Sequence, residues 1–523
     1  MKTSKKEIII VAIAIIVQTL IFIVVGMNKA YIHMDEGFSM GLTNYDKIKI
    51  QMNDDFYDTW HTKDYYEDYL IINEDEKFDF SPVYINQKND VHPPLYYFLL
   101  RVAMSFHVGR FSMWSGIILN MIIYAGITLF MYLIIKKLLE DTENVLEKSI
   151  VLAVFSSITI ASLTNLVYIR MYALSTLNIV ITAYLHMRLY EIKEENYKLL
   201  TAIGLSALVG SLTHYYYLFY LVVLFIMFTI KYLKEKRYKE FGKYFAALAV
   251  AGILSILIFP FSIQHMFFGY RGQGALSNLS NIMTAFKGIV TYLFIMNRYG
   301  FNNILFFVLV SMIVIVMYKR MRGIEIFSGR NRYVKYMLLP SFFYFLLVSI
   351  SSPWKTLRYV LPICGLSFIL VFYYLYVLLK NIVSKKALNR IFAIIFIVMF
   401  IMPMWLHIPI QELYTDRAEI VEKLSNELNL PTIYAMRSNG NRFLDDIYLF
   451  SKIDESYIAR DIEYTKENVQ KIFENKDISK GIIVFINTQQ NNKEILENIC
   501  EATNLEKWKH LKRLNACDVY YVK

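Results

Sequence analysis

The chain begins "MKTSKKEIIIVAIAIIVQTLIFIVVG", a basic start and then about twenty apolar residues without a polar period. At about 1.5 Å per helical residue, that run crosses the roughly 30 Å hydrocarbon core of a bilayer. A secretory leader would have a shorter apolar core and a small-residue cleavage site. "MNKAYIHMDE" is a poor match, so the run is expected to stay as an uncleaved first span with its N-terminus inside. Similar runs recur. Hydropathy predicts about eleven spans, near 7–26, 113–135, 149–168, 172–190, 199–213, 215–232, 244–262, 301–318, 335–351, 358–379 and 390–406. The apolar stretches near 94–107 and 284–298 are shorter or interrupted, and are expected to lie along the membrane surface.

The polar positions between these runs set the orientation. "KKLLEDTENVLEK", "EIKEENYK", "KYLKEKRYKEFGK", "KRMRGIEIFSGRNRYVK" and "KNIVSKKALNR" are dense in Lys and Arg, whereas "SLTHYYY" and "SSPWKTLR" hold few. Cytoplasmic loops carry the excess of cations, so the first set is expected inside. An odd number of spans then puts the C-terminus on the outer face. No internal repeat is evident, so an inverted-repeat transporter gains no support.

Two stretches depart from the span-and-short-loop pattern. The first is an outer loop over about 27–93, carrying Asp54, Asp55, Asp58, Asp64, Glu67, Asp68, Glu74, Asp75, Glu76, Asp79 and Asp90. The second is the tail from about 407, where hydropathy falls. There "PTIYAM", "GIIVFIN" and "ACDVYYVK" predict strands, and "TKENVQKIFEN" and "NKEILENICEATN" predict helices. Alternation of this kind predicts a small α/β domain. The expected organisation is a transmembrane module over 1–406 and an extracytoplasmic α/β domain over 407–523.

Composition agrees with a membrane protein. Over 523 residues, 56% are hydrophobic and only 19% charged, against about a quarter charged in soluble domains. The net charge of +11 could suggest nucleic acid, but the cations sit in the short inner loops and need no such partner. Cys364, Cys500 and Cys517 make no metal cluster; Cys364 falls in an apolar span and serves packing. Cys500 and Cys517 could pair in an oxidising compartment, although sequence fixes no geometry for them. Sparse cysteine with Lys-rich and Ile-rich usage suits a bacterial plasma membrane.

Candidate chemistry gathers at the outer ends of the spans. Asp35 and Glu36, in "YIHMDEGFSM", follow the first span by about nine residues. Carboxylates so near hydrocarbon are costly unless paired or facing a wet cavity. They could equally mark the start of an exposed acidic loop. In "NDVHPPLYYFLL" the prolines forbid a helix through the elbow, hold His92 extended and start the next helix. The elbow aims Asp90 and His92 at the interface; its bland alternative is a helix start beside an aromatic belt. "LVYIRMYALS" places Arg170 and Tyr172 between two apolar segments, and Arg grips phosphate through its bidentate fork, or simply snorkels. "SLTHYYYLFY" brings His214 and Tyr215, and "SSPWKTLRYVLP" brings Lys355, Arg358 and Tyr359. Cations for a phosphate and carboxylates for a base, at one membrane face, suit a lipid-phosphate substrate.

The Asp-Glu pair after the first span, the "HPPLYY" elbow, the "RMY" after the third span and the late "RYVLP" resemble, over about 1–406, the GT-C superfamily. The nearest branch is the protein O-mannosyltransferase-like one, which includes the aminoarabinose lipid A transferases. The resemblance implies a polytopic all-α GT-C fold with a large first outer loop. It also implies an inverting glycosyltransferase that takes sugar from a polyprenyl-phosphate donor. Asp35 matches the acidic residue that acts as general base, beside Glu36. His92, Arg170, Tyr172, Lys355, Arg358 and Tyr359 would hold the lipid phosphate, and Asp90, His214 and Tyr215 would line the substrate cavity. The acceptor would be an envelope lipid, polymer or protein. No cofactor is required by this reading, although the acidic loop could hold a divalent cation, as in the oligosaccharyltransferase branch; scattered carboxylates are more often a solvated face. The rivals are a polyprenyl-lipid or glycolipid flippase and an envelope assembly protein without transferase activity.

Overall fold

The computed structural model describes residues 4–44, 56–192, 196–279, 282–326, 332–436, 441–460, 463–487 and 490–523. Asp54 and Asp55 lie outside the described residues. The chain forms two compact units, one of residues 1–27, 87–96 and 117–411, the other of 28–86, 97–116 and 412–523.

The first unit is helical. Among the described residues six helices are long and apolar enough to cross a membrane: Lys5–Met27, Trp114–Leu138, Tyr217–Lys234, Tyr238–Ile258, Leu361–Leu379 and Lys385–Trp405. The total reaches eight if each of two bent pairs is one span. Val145–Ser157 and Ile160–Val167 meet at 60°. The break falls where Thr159 turns extended and its hydroxyl accepts the Ser162 N–H at 3.3 Å, capping the second arm. Met283–Gly300 and Leu305–Met321 meet at 101°, so the stretch expected at the membrane surface near 284–298 is one arm of a bent pair. The other expected runs are helical too, but Tyr197–Ser211 and Lys335–Ser351 have only 15 and 17 residues. Leu361–Leu379 is the innermost span, with 78% of its apolar window buried, against 11% for Tyr238–Ile258. Apolar residues left exposed on the outer helices suit contact with lipid.

The second unit is built on a six-stranded sheet: β1 (Trp60–Thr62), β2 (Thr432–Met436), β3 (Glu455–Arg460), β4 (Ile482–Asn487), β5 (Trp508–Arg513) and β6 (Cys517–Val522), in the order β1-β3-β2-β4-β6-β5. The three central strands β3, β2 and β4 are parallel, and β1, β6 and β5 add antiparallel edges. β2 and β4 are buried at every position, as central strands covered on both faces must be. Lys466–Phe473 and Asn492–Thr503 cover one face through Val469, Leu496 and Ile499. On the other, Tyr434, Phe450 and Phe485 lie with ring centroids 5.2–5.8 Å apart. β1 comes from the acidic loop that follows the first long helix, pairing Trp60 with Tyr457 in the tail's β3.

The three cysteines are free, so Cys500 and Cys517 do not pair. Side chains alternate along a strand. Tyr520 and Val522 of β6 face the side covered by helix Asn492–Thr503, which carries Cys500, and this turns Cys517 to the opposite face. The acidic loop is held by Arg101, whose buried guanidinium donates to the carbonyls of Thr43 (2.7 Å), Glu76 (2.6 Å) and Asp79 (2.9 Å).

Candidate active site

The first unit contains a cavity of about 780 Å³. Helix Tyr217–Lys234 lines it with Phe219, Val222, Val223 and Ile226, and helix Lys335–Ser351 with Leu339, Phe343 and Leu347. Its polar groups come from the connecting turns: His92, His214, Tyr215, Arg271 and Tyr359.

The proline elbow fixes His92. The Leu95 N–H donates to the Leu212 carbonyl at 3.0 Å, tying the elbow to the turn that carries His214. His92 Nδ1 lies 2.7 Å from Asp90 Oδ2. Burial alone would raise the Asp90 carboxyl, but His92 and then Arg170 outweigh it and hold it at about 2. Burial pushes His92 below the ordinary histidine value, and Arg170 and Arg271 act in the same sense against Asp90. The imidazole is therefore neutral near pH 7, with Nδ1–H donating to Asp90 and Nε2 left as an acceptor. His214 is the complement. Its Nδ1 accepts the Tyr216 N–H at 3.1 Å, which leaves the proton on Nε2. Burial, with His92 and Arg170, pushes His214 down to about 3.

Arg170 is buried, and its charge acts on Asp90, His92 and His214. It follows Tyr168, whose ring stacks on Tyr172 at 5.8 Å. Tyr172 in turn lies 5.5 Å from the His214 ring and 6.3 Å from Tyr359. Arg358 donates to the Tyr168 hydroxyl at 3.3 Å and lies 5.2 Å over the Tyr359 ring. Tyr215 donates to His265 Nδ1 at 3.0 Å, and His265 Nε2 donates to the Lys88 carbonyl at 3.2 Å. Thus Asp90, His92, Arg170, Tyr172, His214, Tyr215, Arg358 and Tyr359 gather in one neighbourhood. Lys355 turns elsewhere, donating to Ser352 O (2.8 Å) and Ile350 O (3.4 Å) at the end of helix Lys335–Ser351. That is a C-terminal cap.

Arg271 and His265 also line the cavity, and the sequence reading did not single them out. Arg271 lines the cavity, stacks 4.5 Å over Trp354 and donates to the hydroxyls of Tyr270 (2.9 Å) and Tyr359 (3.4 Å). The available signal was "FFGYRGQG", an arginine among glycines between two apolar runs.

Asp35 and Glu36 belong to the second unit, in the first turn of helix Met34–Thr43. His33 caps that helix: its Nδ1 accepts the Asp35 N–H at 3.0 Å, and Glu36 Oε2 accepts the His33 N–H at 2.7 Å. Glu36 is sealed and also pairs with Lys29 at 3.0 Å. Lys29 donates further to the Glu412 carbonyl at 2.6 Å. Asp35 keeps 13% of its side chain exposed, with one oxygen 3.7 Å from His33 Nδ1. An acidic side chain in a first turn is stabilised by the helix dipole. Among the described residues no group of three or more His, Cys, Asp or Glu side chains is arranged to hold a metal ion.

No protein-family model matches the chain, and no curated protein matches it. Among solved structures it is similar to ArnT from Cupriavidus metallidurans bound to undecaprenyl phosphate, with a TM-score of 0.49 at 11% identity, over 98% of this chain and 97% of that one. It is likewise similar to apo ArnT from the same organism, with a TM-score of 0.48 at 10% identity, over 97% of each chain.

Proposed function

We propose that this multi-pass membrane protein is an inverting glycosyltransferase that moves a sugar from a polyprenyl-phosphate carrier to an acceptor hydroxyl at the outer face of a bacterial plasma membrane. The observation that carries the reading is the cavity. Its long apolar walls suit an isoprenoid chain, and its polar groups suit a phosphate. Arg271 supplies fixed charge, His214 an Nε2–H and Tyr359 a hydroxyl. Arg170 adds positive potential, felt at His214. An arriving phosphate adds negative charge beside His92 and favours its imidazolium, which then donates through Nε2.

In the proposed reaction the acceptor oxygen bonds to the anomeric carbon as that carbon's bond to the phosphate oxygen breaks. The bonding electrons leave on the phosphate, and the acceptor's proton passes to Asp35. Negative charge grows on the leaving phosphate, so fixed cations lower the barrier there. Glu36 is engaged by Lys29 and the helix cap, so in this reading it holds the turn and Asp35 alone is the base. In this reading 1–406 is the catalytic transmembrane module and 407–523 an extracytoplasmic domain, whose sheet also takes in β1.

The test is release of undecaprenyl phosphate from a panel of undecaprenyl-phosphate-linked sugars in proteoliposomes supplied with a bacterial envelope extract as the source of acceptor hydroxyls. Wild type should release it and Asp35→Asn should not, at equal expression. Full activity in Asp35→Asn removes that residue as the base. Lipid binding without release for any sugar favours a transporter.

A further inference from the structure

Asp446 stands at the N-cap of helix Ile447–Phe450, yet its side chain makes no cap. Capping is the usual employment of an aspartate there. Its two oxygens are spent on other elements. Oδ1 accepts the Tyr31 hydroxyl at 3.2 Å, and Oδ2 accepts the Cys517 thiol of β6 at 3.3 Å. Asp446 is fully buried. Tyr31 lies four residues before Asp35 in the segment that leads into helix Met34–Thr43. The tail grips the same short stretch elsewhere. The Ala30 N–H donates to Leu413 O at 2.8 Å, Arg417 stacks 4.6 Å over Tyr31, and Asp445 accepts the Met34 N–H. Gly37 brings the helix within ordinary contact of Ile447: a Cβ there would stand 3.5 Å from Ile447 Cγ2. These elements all lie within the second unit.

We propose that Asp446 is a positioning residue for Asp35, a buried tie between the tail's sheet and the segment carrying the base, and that ionising it places a charge in that buried site beside Asp445 and so favours opening of the segment. The proposal rests on the reading of Asp35 as the base, but its test is made without donor or acceptor. The titratable or charged groups facing Asp446 are Tyr31 from the leading segment, Cys517 from β6, Arg417 from 415–417, Tyr434 from β2 and the adjacent Asp445. Asp445 itself faces His33 and Arg417.

Burial first, and Asp445 second, push the Asp446 carboxyl up to about 7 against Cys517, Arg417 and Tyr31. Opening the segment returns the carboxyl to water and its ordinary value of about 4. The closed form then holds the proton over a range where the open form has lost it. The tie is strongest below about pH 4 and weakens as pH rises through about 7.

Hydrogen exchange read by mass spectrometry on the full chain in nanodiscs, corrected for intrinsic exchange, tests this. In wild type, protection of residues 28–44 should fall at least ~5-fold between pH 5.5 and 7.5, while helix Asn492–Thr503 stays level. Asp446→Asn should flatten that profile. If Asp446→Asn does not fold, Tyr31→Phe and Cys517→Ala carry the test. Each should raise exchange of 28–44 at least ~3-fold at pH 5.5, leaving 492–503 unchanged. A pH-independent wild type, a retained profile in Asp446→Asn, or no rise in both other variants overturns the proposal. Asp35→Asn should keep the wild-type profile. Loss of the base reading in the transfer assay, with this profile intact, would therefore leave the tie standing.

Discussion

Lys29–Glu36 and Asp90–His92 are both pairs held at hydrogen-bond distance, 3.0 and 2.7 Å. In the first, both side chains are sealed, and the remaining valences go to the Glu412 carbonyl and the His33 N–H. In the second, 14% of His92 and 22% of Asp90 remain exposed, His92 lines a cavity, and its Nε2 has no hydrogen-bond partner among the described residues. A buried pair whose valences are all spent holds structure. A pair with an unused nitrogen at a cavity wall, with arginines nearby, is arranged to receive something.

Four substitutions press on that contrast, from largest effect to smallest. Asp35→Asn should reduce transfer by ~10² to 10⁴-fold, the usual contribution of a general base, with thermal stability unchanged; this is read in the proteoliposome assay. Lys29→Met should leave Glu36 as an uncompensated buried charge and destabilise the second unit by about 3–5 kcal/mol in denaturant unfolding. Lys29→Met with Glu36→Leu should recover most of that loss, because no lone charge remains. Arg271→Ala should do the reverse of Lys29→Met. It should leave stability within about 1 kcal/mol while weakening undecaprenyl phosphate binding roughly 10- to 100-fold, the worth of charge-assisted hydrogen bonds. Equal damage to fold and binding would erase the contrast.

A further effect concerns pH. His214 is pushed down to about 3, so the folded chain withholds a proton that the unfolded chain accepts at about 6.5. Its contribution to stability is whole above about 6.5 and is lost as pH falls toward 3. His214→Phe should reduce the acid sensitivity of unfolding over that window, measured by thermal scans from pH 4 to 7.

What the sequence disclosed follows physical range. The long apolar runs became helices because hydropathy is local, and β2, β4 and β6 stand where short apolar runs predicted them. β1 is three residues, "WHT", and is a strand because Glu455–Arg460 lies beside it, nearly four hundred positions away. β5, "WKHLKR", hides because it is a charged, exposed edge, the composition that protects sheet edges from foreign strands. The site was partly legible. His92, Arg170, His214 and Tyr359 stood out as polar groups beside apolar runs, while Arg271 did not, because one arginine among glycines has no local meaning. The service of Lys355 as a helix cap depends on where helix Lys335–Ser351 ends, which hydropathy places only loosely.

The central claim is that the cavity receives a lipid phosphate, and native mass spectrometry of the detergent-purified protein tests it most directly. Wild type should retain polyprenyl phosphate or bind added undecaprenyl phosphate, and Arg271→Ala with Arg358→Ala should lose it while remaining folded. A wild-type protein that neither carries nor binds the lipid would contradict the account.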